Sequence, residues 1–203
     1  MEILLNNLSK LTRLPEAELV PILHHFLPRT IKAGVGLLTP GAISTAVWFI
    51  GTGALRAFYH VEERRRKDGA EFQGIVFREV TTWIVPAGGF LTDVKSFLRQ
   101  TPGLYHIEAL EPCSLYSLSY NSYMIIQHDH PYIARAIFEN TLIMADLRMQ
   151  MCNLRYPEDR LAMFENMYPG MTGRLSVNIQ ASYLNIDPST LSRLRGKRSK
   201  NNS

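Results

Sequence analysis

Cysteine is scarce in this chain. Cys113 and Cys152 are the only two in 203 residues. Two isolated thiols support neither a disulfide framework nor a four-cysteine cluster. Both are expected to behave as small core hydrophobes in a reducing, cytoplasmic setting. Long apolar runs are also missing, and none approaches the roughly 20 residues of a membrane span, so no membrane partner is expected. The Leu-rich opening MEILLNNLSKLTRL carries Glu2 where a secretory leader would be basic. No small-residue cleavage site follows, so no signal peptide is read. There is no phosphate-cradling glycine loop, no G-x-S-x-G and no defensible triad order, so no enzyme, cofactor or metal is expected.

Net charge is absent from most of the chain and concentrated at its end. Residues 1–154 hold 14 Lys+Arg against 14 Asp+Glu, whereas residues 155–203 hold 8 against 4. The whole surplus of +4 therefore lies in the last quarter. A neutral body with a basic end points to a polyanionic partner there, or else to a solvated basic tail.

What is present divides into three zones. The first runs to about Ser119. It opens with a helical pattern from Pro15 to Phe26, apolar at Leu19, Ile22, Leu23 and Phe26. It continues as β-like runs broken by glycine: GVGLLTPG, AVWFIGTGALRAFYHV, AEFQGIVFREVTTWIVPAGG and IEALEPCSLYSLS. Their Val, Ile, Phe, Trp and Tyr content between turn residues predicts an antiparallel sandwich or roll. Asp68-Gly69 is a hairpin-turn signal within the basic stretch EERRRKDG, read as a solvated tip.

The second zone is a long helix from about Pro131 to Leu154. Ile133, Ile137, Asn140, Met144, Leu147, Met151 and Leu154 recur at steps of 4 and 3, a heptad seam with one polar residue. Phe138, Leu142, Ala145, Met149 and Cys152 make a second apolar face. A helix apolar on two sides must bury both. The seam is assigned to a twin helix in a homodimer; the alternative is burial of both faces within one chain.

The third zone starts at Pro157. PEDRLAMFENMYP reads as a short helix and GMTG as a turn. In SVNIQASYL, Val177, Ala181 and Leu184 share a helical face. Asn185 tolerates φ > 0 and can turn the chain sharply. Asp187 suits an N-cap and Pro188 a first helical position. Leu191 and Leu194 then face inward while Ser189, Arg193 and Lys197 lie outward. Two short helices with a tight turn and a basic outer stripe are a helix-turn-helix pattern. Short side chains at Ser189, Thr190 and Ser192 allow close approach to a groove. Arg193 is long enough for a bidentate contact to guanine. Arg195, Lys197, Arg198 and Lys200 are assigned to phosphates. Gln180 dissents, standing where the first helix usually has an apolar residue.

This order resembles the Crp/Fnr family of transcription regulators. The residues that carry the resemblance are LLTPGAISTAVWFIGTGALRAFY (37–59), IEALEPCSLYSLSYNSY (107–123), the 131–154 helix and ASYLNIDPSTLSRLRGK (181–197). The resemblance implies an α+β chain: an antiparallel β-roll of cyclic-nucleotide-binding type with flanking helices over 1–130, a dimerisation helix over 131–154, and a small helical helix-turn-helix domain over 155–203. It implies a homodimer, double-stranded DNA as partner, and Ser189 and Arg193 at base-reading positions.

Two departures matter. Family members that bind cyclic nucleotides carry a Gly-Glu pair for the ribose and an Arg followed by Ser or Thr for the phosphate. Those positions read Thr92-Asp93 and Gly103-Leu104 here. A phosphate buried without its cation is strongly disfavoured, so cyclic AMP is not expected as ligand. Lys95 or Arg99 would have to compensate. The roll is expected to be ligand-free or to hold an unknown small-molecule effector, with Asp93, Lys95, Arg99, Tyr105 and His106 as pocket candidates. In addition, about nine residues follow Leu194, so the usual β-hairpin wing is expected to be missing or reduced. The competing expectation is a sensing or protein-interaction module whose helix-turn-helix no longer reads DNA.

Histidines offer little chemistry. In HDH (128–130), Asp129 reads as the N-cap of the Pro131 helix, and His24-His25 as a cation pair near a helix end. No strand offers the His-x-His with a nearby Glu that a metal-binding barrel would need. Gln127–Tyr132 is the expected pivot between roll and long helix.

Overall fold

The computed structural model describes residues 1–64 and 75–201, and for 63–64, 75–76 and 198–201 the backbone alone. The Asp68-Gly69 turn lies outside the described residues.

Helix α1 (Glu2–Thr12) leads into α2 (Glu16–Leu19) and a 3-10 turn over Val20–His25. The strands β1 (Phe26–Ile31), β2 (Gly36–Leu38), β3 (Ala46–Thr52), β4 (Ala54–Arg64), β5 (Ile75–Pro86) and β6 (Phe90–Leu91) follow. After α3 (Val94–Arg99) come β7 (His106–Ala109) and β8 (Cys113–Ser119). The chain ends in helices α4 (Tyr120–Asp129), α5 (Pro131–Asn153), α6 (Pro157–Met167), α7 (Val177–Leu184) and α8 (Pro188–Asn201).

The strands form two four-stranded antiparallel sheets, ordered β1-β8-β3-β6 and β2-β7-β4-β5. Together with the flanking helices they make an open β-roll. Strand β3 shows why its sequence is a continuous apolar run rather than an alternating one. Ala46, Trp48 and Ile50 point into the roll, while Val47 and Phe49 point into a helical layer with Leu4, Leu8, Ile126, Ile133 and Ile137. Both faces are covered, so neither tolerates polarity. At the β3–β4 turn, Gly53 has φ +88°, and a Cβ there would sit 2.5 Å from Cys113 Sγ. That turn therefore requires glycine.

The amino-terminal elements differ from the sequence expectation. The opening stretch is an amphipathic helix, α1, whose Leu4 and Leu8 are fully buried. The predicted Pro15–Phe26 helix breaks after Leu19, because Pro21 lacks the N–H that would continue the α-helical ladder. Phe26 belongs to β1, paired with Leu118. Asp129 is not the cap of α5: it ends α4 and receives the His128 Nδ1 contact at 2.7 Å. His130 occupies the break between the two helices, and Pro131 fills the first turn of α5.

The chain itself covers much of the expected seam. Ile133 and Ile137 are fully buried in the helical layer against the roll. Met151 is buried with Leu161 and Phe164 of α6. The apolar side chains that α5 leaves most open are Leu142, Met149 and Ile143, at 72, 59 and 55% exposure. Leu142 and Met149, one heptad apart, are therefore open on α5, whereas Ile133, Ile137 and Met151 of the expected dimer seam are buried within this chain. Among the described residues, no helix is long and apolar enough to cross a membrane.

Candidate nucleic-acid interface

The last three helices build one small core. Leu161, Phe164, Tyr168, Ala181, Tyr183, Leu184, Leu191 and Leu194 bury one another. Ser176 caps α7 by accepting from the Ile179 N–H at 3.2 Å. Asn185 then adopts the left-handed conformation (φ 52°, ψ 51°), and the Ile186 N–H reaches back to the Ala181 carbonyl at 3.1 Å. This is a Schellman-type stop, with Asn in place of the commoner Gly. Arg160 donates to the Leu184 and Asn185 carbonyls at 3.3 and 2.9 Å, satisfying orphan acceptors at the negative end of α7.

Asn185 therefore sets the turn, and burial of Leu191 and Leu194 sets the rotation of α8. Ser189, Ser192, Arg193, Gly196 and Lys197 are left exposed at spacings of 3 and 4 residues. That is one continuous outward stripe. Thr190 is half-buried at its border. The side chains of Arg198 and Lys200 are outside the description.

Arg195 does not belong to this stripe. Its guanidinium turns inward, donating to Gln180 Oε1 and, at 3.0 Å, to the Thr172 carbonyl. Gln180 is fully buried, and its amide also reaches Thr172 Oγ1 at 3.5 Å. The dissenting Gln180 and the supposed phosphate contact Arg195 are thus two halves of one internal bond. They lie 15 residues apart, so no helical periodicity signals the pairing.

Other basic residues of the last quarter are also engaged within the molecule. Arg174 forms a two-point ion pair with Glu111 in the β7–β8 turn. Arg160 caps α7 as above, and Arg155 lies 5.5 Å over the Tyr156 ring. The +4 surplus thus overstates the charge available to a partner. Among the described side chains of α8, Arg193 and Lys197 are the cations turned outward.

The five pocket candidates are not brought together. Asp93 is 4% exposed and caps α3, accepting from the Ser96 N–H at 3.0 Å and the Leu104 N–H at 3.1 Å. A Cβ at Gly103 would approach Asp93 Oδ2 to 2.5 Å, so the carboxylate fills the space where α3 begins. Lys95 and Arg99 are exposed on the outside of α3. Tyr105 packs at the edge of the roll interior, and burial pushes its phenol above the usual value. His106 is on the opposite face of β7, stacked on Phe58 with ring centres 4.8 Å apart. Strand alternation explains the split, since Tyr105 and His106 meet Tyr59 and Phe58, successive residues of β4 that face opposite ways.

A cleft the sequence did not reveal, about 200 Å³, lies between β5–β6 and α5–α6. Trp83, Val85, Phe138, Asn140, Met144 and Tyr168 are among its walls. The Tyr168 hydroxyl meets that of Tyr183 at 3.0 Å, and burial raises both phenols above their usual range. Cys113 is a core hydrophobe whose thiol is pushed up by burial, as expected. Cys152 is only half-buried, with its sulfur against the Arg148 guanidinium. No group of three or more His, Cys, Asp or Glu suited to a metal occurs among the described residues.

No family model matches the sequence, and no curated protein matches it either. Solved structures do resemble it. The c-di-GMP-responsive global regulator CLP of Xanthomonas campestris is 15% identical, with a TM-score of 0.64 over 92% of this chain and 93% of that one. A CooA mutant from Carboxydothermus hydrogenoformans is 17% identical, with a TM-score of 0.61 over 89% and 79%. The Thermus thermophilus catabolite activator protein is 18% identical, with a TM-score of 0.50 over 93% and 85%. At these identities the likeness is one of fold, and the fold is Crp/Fnr-like.

Proposed function

We propose that this chain is a homodimeric, cytoplasmic DNA-binding transcription regulator whose roll does not accept a cyclic nucleotide. The observation that carries the proposal is the exposed stripe Ser189, Ser192, Arg193 and Lys197 on a helix fixed by its own buried stripe. Small residues lead and a long cation follows one turn later, which suits a helix entering a major groove by its N-terminal end. Arg193 reads guanine in a bidentate contact, and Lys197 binds phosphate. Two copies pair along α5 through Leu142, Ile143 and Met149, and place two such helices one DNA turn, about 34 Å, apart.

The cyclic-nucleotide reading is disfavoured by Asp93. Its carboxylate is already committed to the Ser96 and Leu104 N–H groups rather than free for a ribose hydroxyl, and Gly103 supplies no cation for the phosphate. If an effector exists, the apolar walls of the 200 Å³ cleft fit a small, largely neutral molecule better than a nucleotide.

The test is selection of duplex DNA by the purified chain, followed by affinity across a salt series. The expected result is a near-palindromic site, with affinity falling as salt rises. Arg193→Ala should weaken the selected site by about 1–3 kcal/mol and relax the base preference at one position in each half. A chain that binds no duplex even at low salt would instead favour a helix-turn-helix that serves protein interaction.

A further inference from the structure

Strand β5 is an edge of its sheet, and an edge strand presents a row of N–H and C=O groups that ordinarily meet water or another strand. Residues two apart turn these groups the same way. Here the Glu79 carbonyl and the Thr81 N–H and carbonyl are taken by side chains from the helical end of the molecule. The Ser182 hydroxyl of α7 accepts from the Thr81 N–H at 2.9 Å and donates to the Glu79 carbonyl at 2.9 Å. The Arg148 guanidinium of α5 donates to the Thr81 carbonyl at 3.3 Å and lies 4.1 Å from the centre of the Tyr183 ring, in the core of the last three helices. Arg148 thus touches roll, long helix and helix-turn-helix together. Beneath this contact, the Glu79 carboxylate is held at 2.9 Å by Arg56, which is 6% exposed and also bonded to Glu108 at 2.7 Å.

We propose that Ser182 and Arg148 form a latch that fixes the orientation of the helix-turn-helix on edge strand β5. The latch holds α8 ready and does not hide it: with Ser182 engaged, Ser189, Ser192, Arg193 and Lys197 are all exposed. A linker of three residues, Leu154 to Tyr156, separates α5 from α6, so without the latch the module would pivot there. Two reading helices with fixed orientations meet two half-sites without first losing that freedom. Ser182 and Arg148 are positioning residues, and their effect on DNA rests on the function proposed above.

The experiment uses the full chain. Amide exchange at Thr81, read by NMR, reports the latch directly, because its N–H is bonded to a side chain 101 residues away. Ser182→Ala should speed exchange at Thr81 about tenfold or more, with neighbouring amides that face β4 unchanged, and Ser182→Thr should restore protection. Exchange at Thr81 that stays the same, or rises equally along all of β5, overturns the latch. In parallel, Ser182→Ala should weaken the selected two-half-site duplex by about tenfold while leaving binding to an isolated half-site unchanged. Equal losses on both duplexes overturn the orienting role. A wild-type chain that binds neither duplex refutes the DNA reading of α8, and Thr81 exchange then decides the latch alone.

Discussion

Helices α3 and α8 both follow a short-chain polar residue, yet they use the space around them in opposite ways. At α3 the site where a helix start attracts an anion is filled from within: Asp93 takes the Ser96 and Leu104 N–H groups and is itself buried. At α8 the start and the outer stripe are left open, with Ser189, Ser192 and Arg193 exposed. The first helix is closed on itself, and the second is available to a partner. Similar local chemistry can therefore be consumed internally at one place and left open at another, and burial distinguishes them. The same lesson holds inside α8, where Arg193 and Arg195 are two residues apart but face solvent and core respectively.

Removing what orients α8 should have the largest effect. Leu191 is fully buried, and Leu191→Ala should cost about 2–5 kcal/mol of stability and abolish the open stripe. Denaturant unfolding measures it. A loss under about 1 kcal/mol would mean that α8 is not held by this core.

Next comes the inward cation. Arg195→Ala leaves the buried Gln180 amide and the Thr172 carbonyl short of a donor, and should destabilise by about 1–3 kcal/mol. Its DNA salt slope should not change. Lys197→Ala should do the reverse, leaving unfolding untouched and lowering the slope by about one. Interchanged results would reverse the assignment of the two residues.

At α3, Asp93→Ala should cost about 1 kcal/mol through loss of the cap. It should also let sulfate raise the melting temperature of the variant more than that of the wild type. Equal sulfate responses would show that Asp93 was not occupying an anion site.

The smallest effect is at His25. Partial burial first, then the His24 charge, holds its imidazole below the usual value near 6.5, with Asp129 opposing. The unfolded chain then binds the proton more readily, so this contribution to stability falls as pH drops below about 6.5. His25→Gln should flatten stability slightly between pH 6.5 and its lowered folded value, and an unchanged pH profile would count against it.

The roll was legible where strands are apolar on one or both faces, as in β3, β4 and β5. Strand β1 was not: its middle, Leu27 to Thr30, is exposed and contains Pro28, which suits an edge strand but breaks the pattern a reader looks for. The α5 pattern gave a correct helix and an incomplete assignment of its faces. Spacing marks two apolar stripes but not which one the roll covers, and Ile133, Ile137 and Met151 prove to be covered by this chain. The candidate pocket failed for a related reason: Tyr105, just before β7, and His106, its first residue, are neighbours in sequence but turn to opposite sides, against Tyr59 and Phe58 respectively.

The order of residues alone determined the local stops and periods: Asn185 turning the chain, Pro188 opening α8, and leucines at 191 and 194 marking its inner side. These depend on backbone sterics and on which side chains water rejects, both of which act within a few residues. Only the folded chain decided which charges are spent internally, since Gln180 with Arg195, Arg174 with Glu111 and Ser182 with β5 join groups 15, 63 and about 100 residues apart. Such pairs leave no periodic trace, because a hydrogen bond depends on distance in space and not on separation along the chain.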